Sequence, residues 1–439
     1  MAKDKRVGVI SLGCDKNRVD TEKMLAILKQ RHQIVNDIHD AEVIIINTCA
    51  FLQSSREEAL GEIFSTNDMR KNGSLEKIIV TGCLPQKFIE EIFNELYEVD
   101  AFLGVSDYDK ILQVIDDLYS KNERINAVGC VRGECGTDRI LTTNNFAYLK
   151  IADGCSNHCT YCLIPYIRGK YRSVKKEDLI EETKKLGRVN ELILVAQDTA
   201  KYGADLEEKT SLTELIKELS KISSVGSIRL LYCYPENITE ELINEFKTND
   251  KLIKYIDMPL QHADNGVLKR MNRKGTCEGY LRLIERLKKE IDGIAIRSTF
   301  ITGFPGESEE AFLNLKEFIK RAELFNCGFF KYSREEGTPA YKLDGQIDEK
   351  IKNTRLKQLY AMQKRIVNKN LKKLVGTTFS VLAEGFDYDK LMYFGRAYFN
   401  APDIDGKVYF FSGEEVENGK SYDVLIKESI GYDLFGERL

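Results

Sequence analysis

Three cysteines within eight residues, Cys155-Ser-Asn-His-Cys159-Thr-Tyr-Cys162, form a C-x3-C-x2-C run. Soft thiolates suit iron–sulfur clusters, and three of them hold three irons of a cubane while leaving the fourth open. A metal with a free coordination position binds and activates a substrate, whereas a filled one is structural. Two other readings of this run stand beside that one: a zinc site with His158 as fourth ligand, and three unrelated thiols. Zinc ligands normally come in paired spacings, and His158, immediately before Cys159, would have to fold back sharply to join them.

Three more cysteines recur at one place in a repeated pattern. Arg6–Ser11 leads to Cys14 and a helical stretch around Val19–Leu28; Val43–Asn47 leads to Cys49 and a helix near Ser54–Phe64; Ile78–Thr81 leads to Cys83 and a helix from Gln86. Short apolar runs alternating with amphipathic helices predict a buried parallel sheet with crossover helices. The loops after such strands lie on one edge, where ligands bind. Cys14, Cys49 and Cys83, separated by 35 and 34 residues, are therefore expected to be neighbours. One such thiol alone reads as a small core residue, but three at equivalent positions read as a second three-thiolate site with an open iron.

The remaining elements must carry the first triplet. A polar, Gly-rich stretch from Lys121 to Thr143 reads as a linker. From Phe146 a longer alternation of strands and helices, beginning FAYLKIADGC and ending NCGFFKYS, predicts six strands of an open parallel barrel with ligand groups at their carboxyl ends. Gln197 with Asp198, Gln261 with His262, and Arg297 with the Gly303–Glu307 turn lie at or in those strands. Each also has an ordinary reading as a turn or a backbone cap. Arg168 and Arg172 suit a carboxylate or phosphate, or a solvated basic loop. Cys130, Cys135, Cys233, Cys277 and Cys327 follow no ligand spacing and read as spectators.

A basic amphipathic stretch, Asp348–Leu374, is expected to pack the last segment onto the barrel. From Gly376 five short strands separated by Gly and Asp turns suggest a small oligonucleotide-binding-type barrel. Residues 376–439 carry twelve acids against six bases. Nucleic-acid binding relies on Lys and Arg neutralising phosphates, so this surface suits a basic protein better than tRNA. An acidic solvated surface without a partner is the plainer alternative.

Composition agrees. The chain has 439 residues, 43% of them hydrophobic, and no low-complexity tract, which fits about three globular domains. No window approaches the roughly 18 apolar residues of a membrane span and no signal peptide is evident. Eleven cysteines without an export signal argue for metal or catalytic use in a reducing, cytoplasmic setting rather than a disulfide framework.

The C-x3-C-x2-C run resembles the signature of the radical S-adenosylmethionine (SAM) enzymes, and SLGCDKNRVDTE, NTCAF and TGCLPQ resemble the N-terminal domain of the methylthiotransferases within them. The terminal barrel resembles the TRAM domain. The resemblance implies an α/β fold in three parts: residues 1–122 with an auxiliary cluster, 141–372 as a partial (βα)6 radical SAM barrel, and 373–439 as TRAM. It implies two 4Fe-4S clusters, on Cys155, Cys159, Cys162 and on Cys14, Cys49, Cys83, with SAM as both radical source and methyl donor. Tyr161, Gln197, Gln261, Arg297 and Gly303 are the implied SAM contacts. DMPLQHADNGVLKRMNR and GRAYFNAPDIDG resemble the branch of the family that methylthiolates the β-carbon of an aspartate of ribosomal protein S-twelve. Implied partners are that protein, free or in the small ribosomal subunit, and an electron donor such as flavodoxin or ferredoxin, with no membrane and no required nucleic-acid contact. Methylthiolation of a tRNA adenosine is the alternative, and a non-catalytic zinc or RNA-binding protein the remote one.

Overall fold

A computed structural model describes residues 4–71, 73–133 and 136–439. The expected position of Cys135 lies outside the described residues.

The first sheet contains β1 (Arg6–Ser11), β2 (Gln33–Ile34), β3 (Val43–Thr48), β4 (Lys77–Gly82), β5 (Ala101–Phe102) and β6 (Ile125–Asn126), in the order β2-β1-β3-β4-β5-β6 and wholly parallel. Val43–Thr48 is buried at every position, as a strand covered on both faces must be. Register pairs Ser11 with Asn47 and Asn47 with Thr81. The loops that follow therefore leave the sheet at one level, feeding α1 (Asp15–Leu28), α2 (Gln53–Asp68) and α3 (Cys83–Glu95). Cys83 itself opens α3, earlier than the expected start at Gln86.

The second sheet contains β7 (Phe146–Lys150), β10 (Val189–Val195), β11 (Val225–Leu230), β12 (Leu252–Asp257), β13 (Ala295–Thr302) and β14 (Asn326–Lys331), ordered β14-β13-β12-β11-β10-β7. All its pairs are parallel, giving an open half-barrel. The strand expected to run unbroken through FAYLKIADGC is interrupted at Ile151. Its continuation, β8 (Ala152–Asp153), leaves to pair antiparallel with β9 (Arg172–Ser173), forming a small ribbon around the cysteine loop.

Alternation along the strands divides this sheet's two faces. Leu192 and Leu194 join the core under the helices, whereas Ile193 and Val195 join a second core. That second core also takes Val19 from α1 and Val381, Phe399 and Phe410 from the terminal barrel, so one apolar cluster unites all three parts. The terminal barrel is closed, with β15 (Thr378–Asp387), β16 (Met392–Arg396), β17 (Val408–Phe411), β18 (Ser421–Ile430) and β19 (Asp433–Arg438) ordered β15-β16-β17-β19-β18. The long helix Glu349–Lys372 is capped by Asp348, whose side chain accepts from the Lys350 amide. It buries Leu359 in the first of these cores and Val367 and Leu371 in the second.

The expected linker is pinned. Arg139 donates to the Tyr148 carbonyl and to Glu182, each at 2.7 Å, and also to Glu22 of α1. Among the described residues no helix is long and apolar enough to cross a membrane.

Candidate functional site

The common level at which β1, β3 and β4 end brings Cys14, Cys49 and Cys83 around one side chain, Asn17. Its amide nitrogen donates to the Leu12 carbonyl at 3.1 Å and the Thr48 carbonyl at 3.0 Å, stitching two of the three loops together. Its oxygen lies 4.0 Å from the sulfurs of both Cys14 and Cys83. Gly13, at φ +89°, lets Cys49 close in: a Cβ there would stand 2.7 Å from Cys49 Cβ and 3.4 Å from its sulfur. Only glycine satisfies both the left-handed backbone and that approach.

The second triplet sits in the loop after β8. Gly154 precedes it at φ +72°, where a Cβ would meet the Lys170 carbonyl oxygen at 2.2 Å. The Cys155 amide donates to the Gly169 carbonyl at 3.1 Å, and the Cys162 sulfur accepts from the Ile164 amide at 3.4 Å. Cys159 Sγ lies 3.2 Å from Tyr234 Oη, and the Arg273 guanidinium covers the Tyr234 ring at 3.7 Å. Thr160 anchors the loop to the Arg270 and Met271 carbonyls and accepts from the Ala340 amide.

Each set suits an iron–sulfur centre by its donors. Thiols within a triplet lie in each other's electrostatic reach. Among the described residues, however, no three His, Cys, Asp or Glu side chains converge on a point that one ion would fill. Burial pushes Cys49 and Cys155 up, and pushes Cys83 up to about 12, with Arg168 pulling Cys83 the other way.

Arg168 is the residue whose setting was least legible. It is 1% exposed, not solvated, and the carboxylates it holds are the chain's own. It donates to Asp153 at 2.8 Å, to Asp20 at 3.1 Å and to the Asn17 oxygen at 2.6 Å. Lys150 donates to Asp20 and, at 3.5 Å, to Asp153. Asn17, Asp20 and Asp153 were not singled out in the sequence. The available signal was Asn17's place one helical turn after Cys14, within the motif already noted for its cysteine.

The expected SAM-contacting residues are dispersed along the half-barrel. Tyr161 is half-buried and meets Phe304 edge-on, with ring centroids 6.4 Å apart. Gln197 donates to Asp153 at 3.3 Å, while its buried oxygen has no hydrogen-bond partner among the described residues. Neighbouring Asp198 is held by Asn157 and Asn237. Gln261 sits at φ +73°, bridged to β13. The Gly303 amide is taken by Glu307, which also accepts from Phe304 and Thr302 and so closes the turn internally. His262 is fully buried, with Nδ1 accepting from the Asp264 amide at 2.9 Å. Arg297 lies early in β13, donates to Asp257 at 2.8 Å and stands 3.9 Å from Asp405 of the terminal barrel. In the register it faces Asp257, the last residue of β12. Arg172 donates to the Arg168 and Lys170 carbonyls. Cys233 and Cys327 are buried, Cys277 half-buried and Cys130 exposed, all as free thiols.

This half-barrel and its thiol loop define a radical SAM enzyme: residues 149–319 match the Radical SAM superfamily, residues 6–104 the Uncharacterized protein family UPF0004, and residues 375–439 the TRAM domain. Superfamily membership implies SAM and a 4Fe-4S cluster as cofactors. The chain is 46% identical to the ribosomal protein uS12 methylthiotransferase RimO of Acetivibrio thermocellus, over 99% of this chain and 98% of that one. It is 47% identical to the RimO of Clostridium kluyveri, over 98% and 97%. The chain belongs to the RimO family. Among solved structures, the radical SAM methyltransferase TsrM from Kitasatospora setae matches with a TM-score of 0.56 at 13% identity, over 87% of this chain and 81% of that one. The cobalamin-dependent SAM radical enzyme OxsB matches at 0.53 and 13%, over 83% of this chain but 56% of its own length. At such identities these likenesses establish the fold alone.

Proposed function

We propose that this protein methylthiolates the β-carbon of an aspartate of ribosomal protein uS12, using two 4Fe-4S clusters and SAM. The observation that carries the reading is that Arg168 and the residue after it touch both thiol sites: Arg168 reaches Asn17 beside Cys14 and Cys83, and Gly169 accepts the Cys155 amide. A carbon of this kind has no proton acidic enough for a side-chain base. When bound, the clusters and SAM supply one-electron bond cleavage, a sulfur and a methyl group, while the protein's part is position and exclusion of water.

In this reading Cys155, Cys159 and Cys162 hold the SAM-binding cluster and Cys14, Cys49 and Cys83 the auxiliary one. Tyr161, backed by Phe304, shields the cofactor from water. Gln197 and Gln261 orient it from the strand ends, the Gly303 turn contributes its backbone, and Arg297 supports the site through Asp257 at the end of its strand. The acidic terminal barrel suits a basic protein substrate, and a flavodoxin or ferredoxin in the cytoplasm supplies the electron.

The test has two arms. Replacing Cys155, Cys159 or Cys162 by Ala should abolish 5′-deoxyadenosine formation, whereas replacing Cys14, Cys49 and Cys83 should stop methylthio transfer while SAM cleavage continues. Mass spectrometry of ribosomal peptides and tRNA nucleosides from a deletion strain should show the modification missing from uS12. Loss from tRNA with uS12 intact would reverse the substrate.

A further inference from the structure

The thiol sites come from separate sheets, yet sulfur transfer requires them to keep one separation and orientation. Apolar packing of α1 against β7 brings the parts together without fixing orientation, because dispersion contacts carry little direction. Direction comes from hydrogen bonds: Arg139 and Thr142 hold Glu22, and Arg56 holds Glu335, while the bond that reaches Asn17, beside the Cys14 and Cys83 sulfurs, comes from Arg168.

Arg168 follows the short helix Ile164–Ile167, whose first amide bonds to the Cys162 sulfur. Its own amide donates to the Ile164 carbonyl at 2.8 Å, so its backbone is fixed relative to that thiol. From there the guanidinium spreads over both sides of the seam. One nitrogen binds Asp153, on the strand leading into the Cys155 loop, and the other binds Asn17 and Asp20 on α1. Asn17 in turn is tied to the loops carrying Cys14 and Cys49. The two cations, Arg168 and Lys150, are matched by the two carboxylates Asp20 and Asp153. Arg168 is the cation whose fork also bonds the side chain lying 4.0 Å from two sulfurs.

We propose that Arg168 is a positioning residue for sulfur transfer: it fixes the Cys14, Cys49, Cys83 triplet relative to the Cys155, Cys159, Cys162 triplet and supplies positive charge beside the former. This rests on the two-cluster reading above. Lysine does not replace it, since a single ammonium lacks the fork whose one nitrogen bonds Asp153 while the other bonds Asn17 and Asp20. A nearby cation favours the more negative, reduced form of an iron–sulfur centre, because net charge and hydrogen bonding set its potential.

Charge and geometry separate in two variants of the full-length holoprotein. The auxiliary potential is read by electron paramagnetic resonance in a background with Cys155, Cys159 and Cys162 changed to Ala, where a single cluster remains. Arg168→Gln should lower that potential, and Arg168→Lys should leave it near the wild-type value. With the native cysteines and a uS12-derived peptide, both should lower methylthiolated product per 5′-deoxyadenosine, by about 10- to 100-fold, as expected for a displaced reacting group. If Arg168→Gln does not fold, the ratio in Arg168→Lys decides. A wild-type potential in the Gln variant and a wild-type product ratio in the Lys variant, with only the melting temperature lowered, overturn the proposal. A wild-type chain that makes no methylthiolated peptide sinks the functional reading alone, because the potential is read without substrate.

Discussion

Single residues differ sharply in how far their setting was visible beforehand. The grouping of six cysteines into two triplets was legible because a tight motif and a repeated strand–cysteine–helix pattern are visible in the order of the chain. Asn17 and Arg168 were not, because their bond spans 151 positions and nothing in either neighbourhood announces the other. The same holds for Glu191, buried between Arg229 and Arg396 of different domains. Burial alone would raise its carboxyl, but the two guanidiniums outweigh burial and hold it below its ordinary value. A carboxyl depressed in the folded state adds stability above its unfolded value and loses it as pH falls through the folded one. Glu191→Gln should therefore cost about 3–5 kcal/mol at neutral pH, the usual result of stripping a buried pair of one partner. It should also flatten the acid limb of a denaturation profile below about pH 4. An unaltered acid limb would remove Glu191 from that role.

Among elements, those with a strong period were readable and the shortest were not. β3 and β10 announce themselves as apolar runs, whereas β2, β5 and β6 are two-residue strands whose existence depends on a neighbour already in place. The break at Ile151 escaped notice for a related reason: Ala152–Asp153 is as apolar-leading as what precedes it, and only pairing with Arg172–Ser173 turns it aside. The helix Glu349–Lys372 was legible from its spaced Leu, Met and Ile residues. Its use as a strut between two cores follows from burial: Leu359 is 0% exposed on one side and Leu371 3% on the other. Leu359→Ala should destabilise the protein by about 2–5 kcal/mol through the cavity it leaves, measured by chemical denaturation. Separate unfolding of the terminal barrel should not result, because that barrel shares a core with the half-barrel.

At the scale of the whole molecule, three chain segments are welded rather than strung. α1 supplies Val19 to the shared core, Glu22 to the Arg139 clamp and Asn17 to Arg168. The acidic terminal barrel is consequently held in fixed relation to the thiol sites. A basic protein substrate should bind more weakly as salt rises, since exposed charges are screened beyond about 10 Å at 0.1 M ionic strength. Reversing exposed Asp389, Glu415 and Asp423 to Lys should raise KM for uS12 several-fold while leaving substrate-free SAM cleavage alone, as rim charges govern encounter. Measured steady-state kinetics with an unchanged KM would assign recognition to another surface.

β19 closes the terminal barrel by pairing with both β17 and β18, and it lies at Asp433–Arg438. A nascent chain emerging from the ribosome therefore lacks the closing strand until Asp433–Arg438 has been made. Until then Arg396, on β16 two strands away, sits in an incomplete barrel although its partner Glu191 was synthesised some two hundred residues earlier. A premature stop before Asp433 would thus harm more than a peripheral appendage. It would leave open a barrel whose side chains complete the buried charges of the half-barrel.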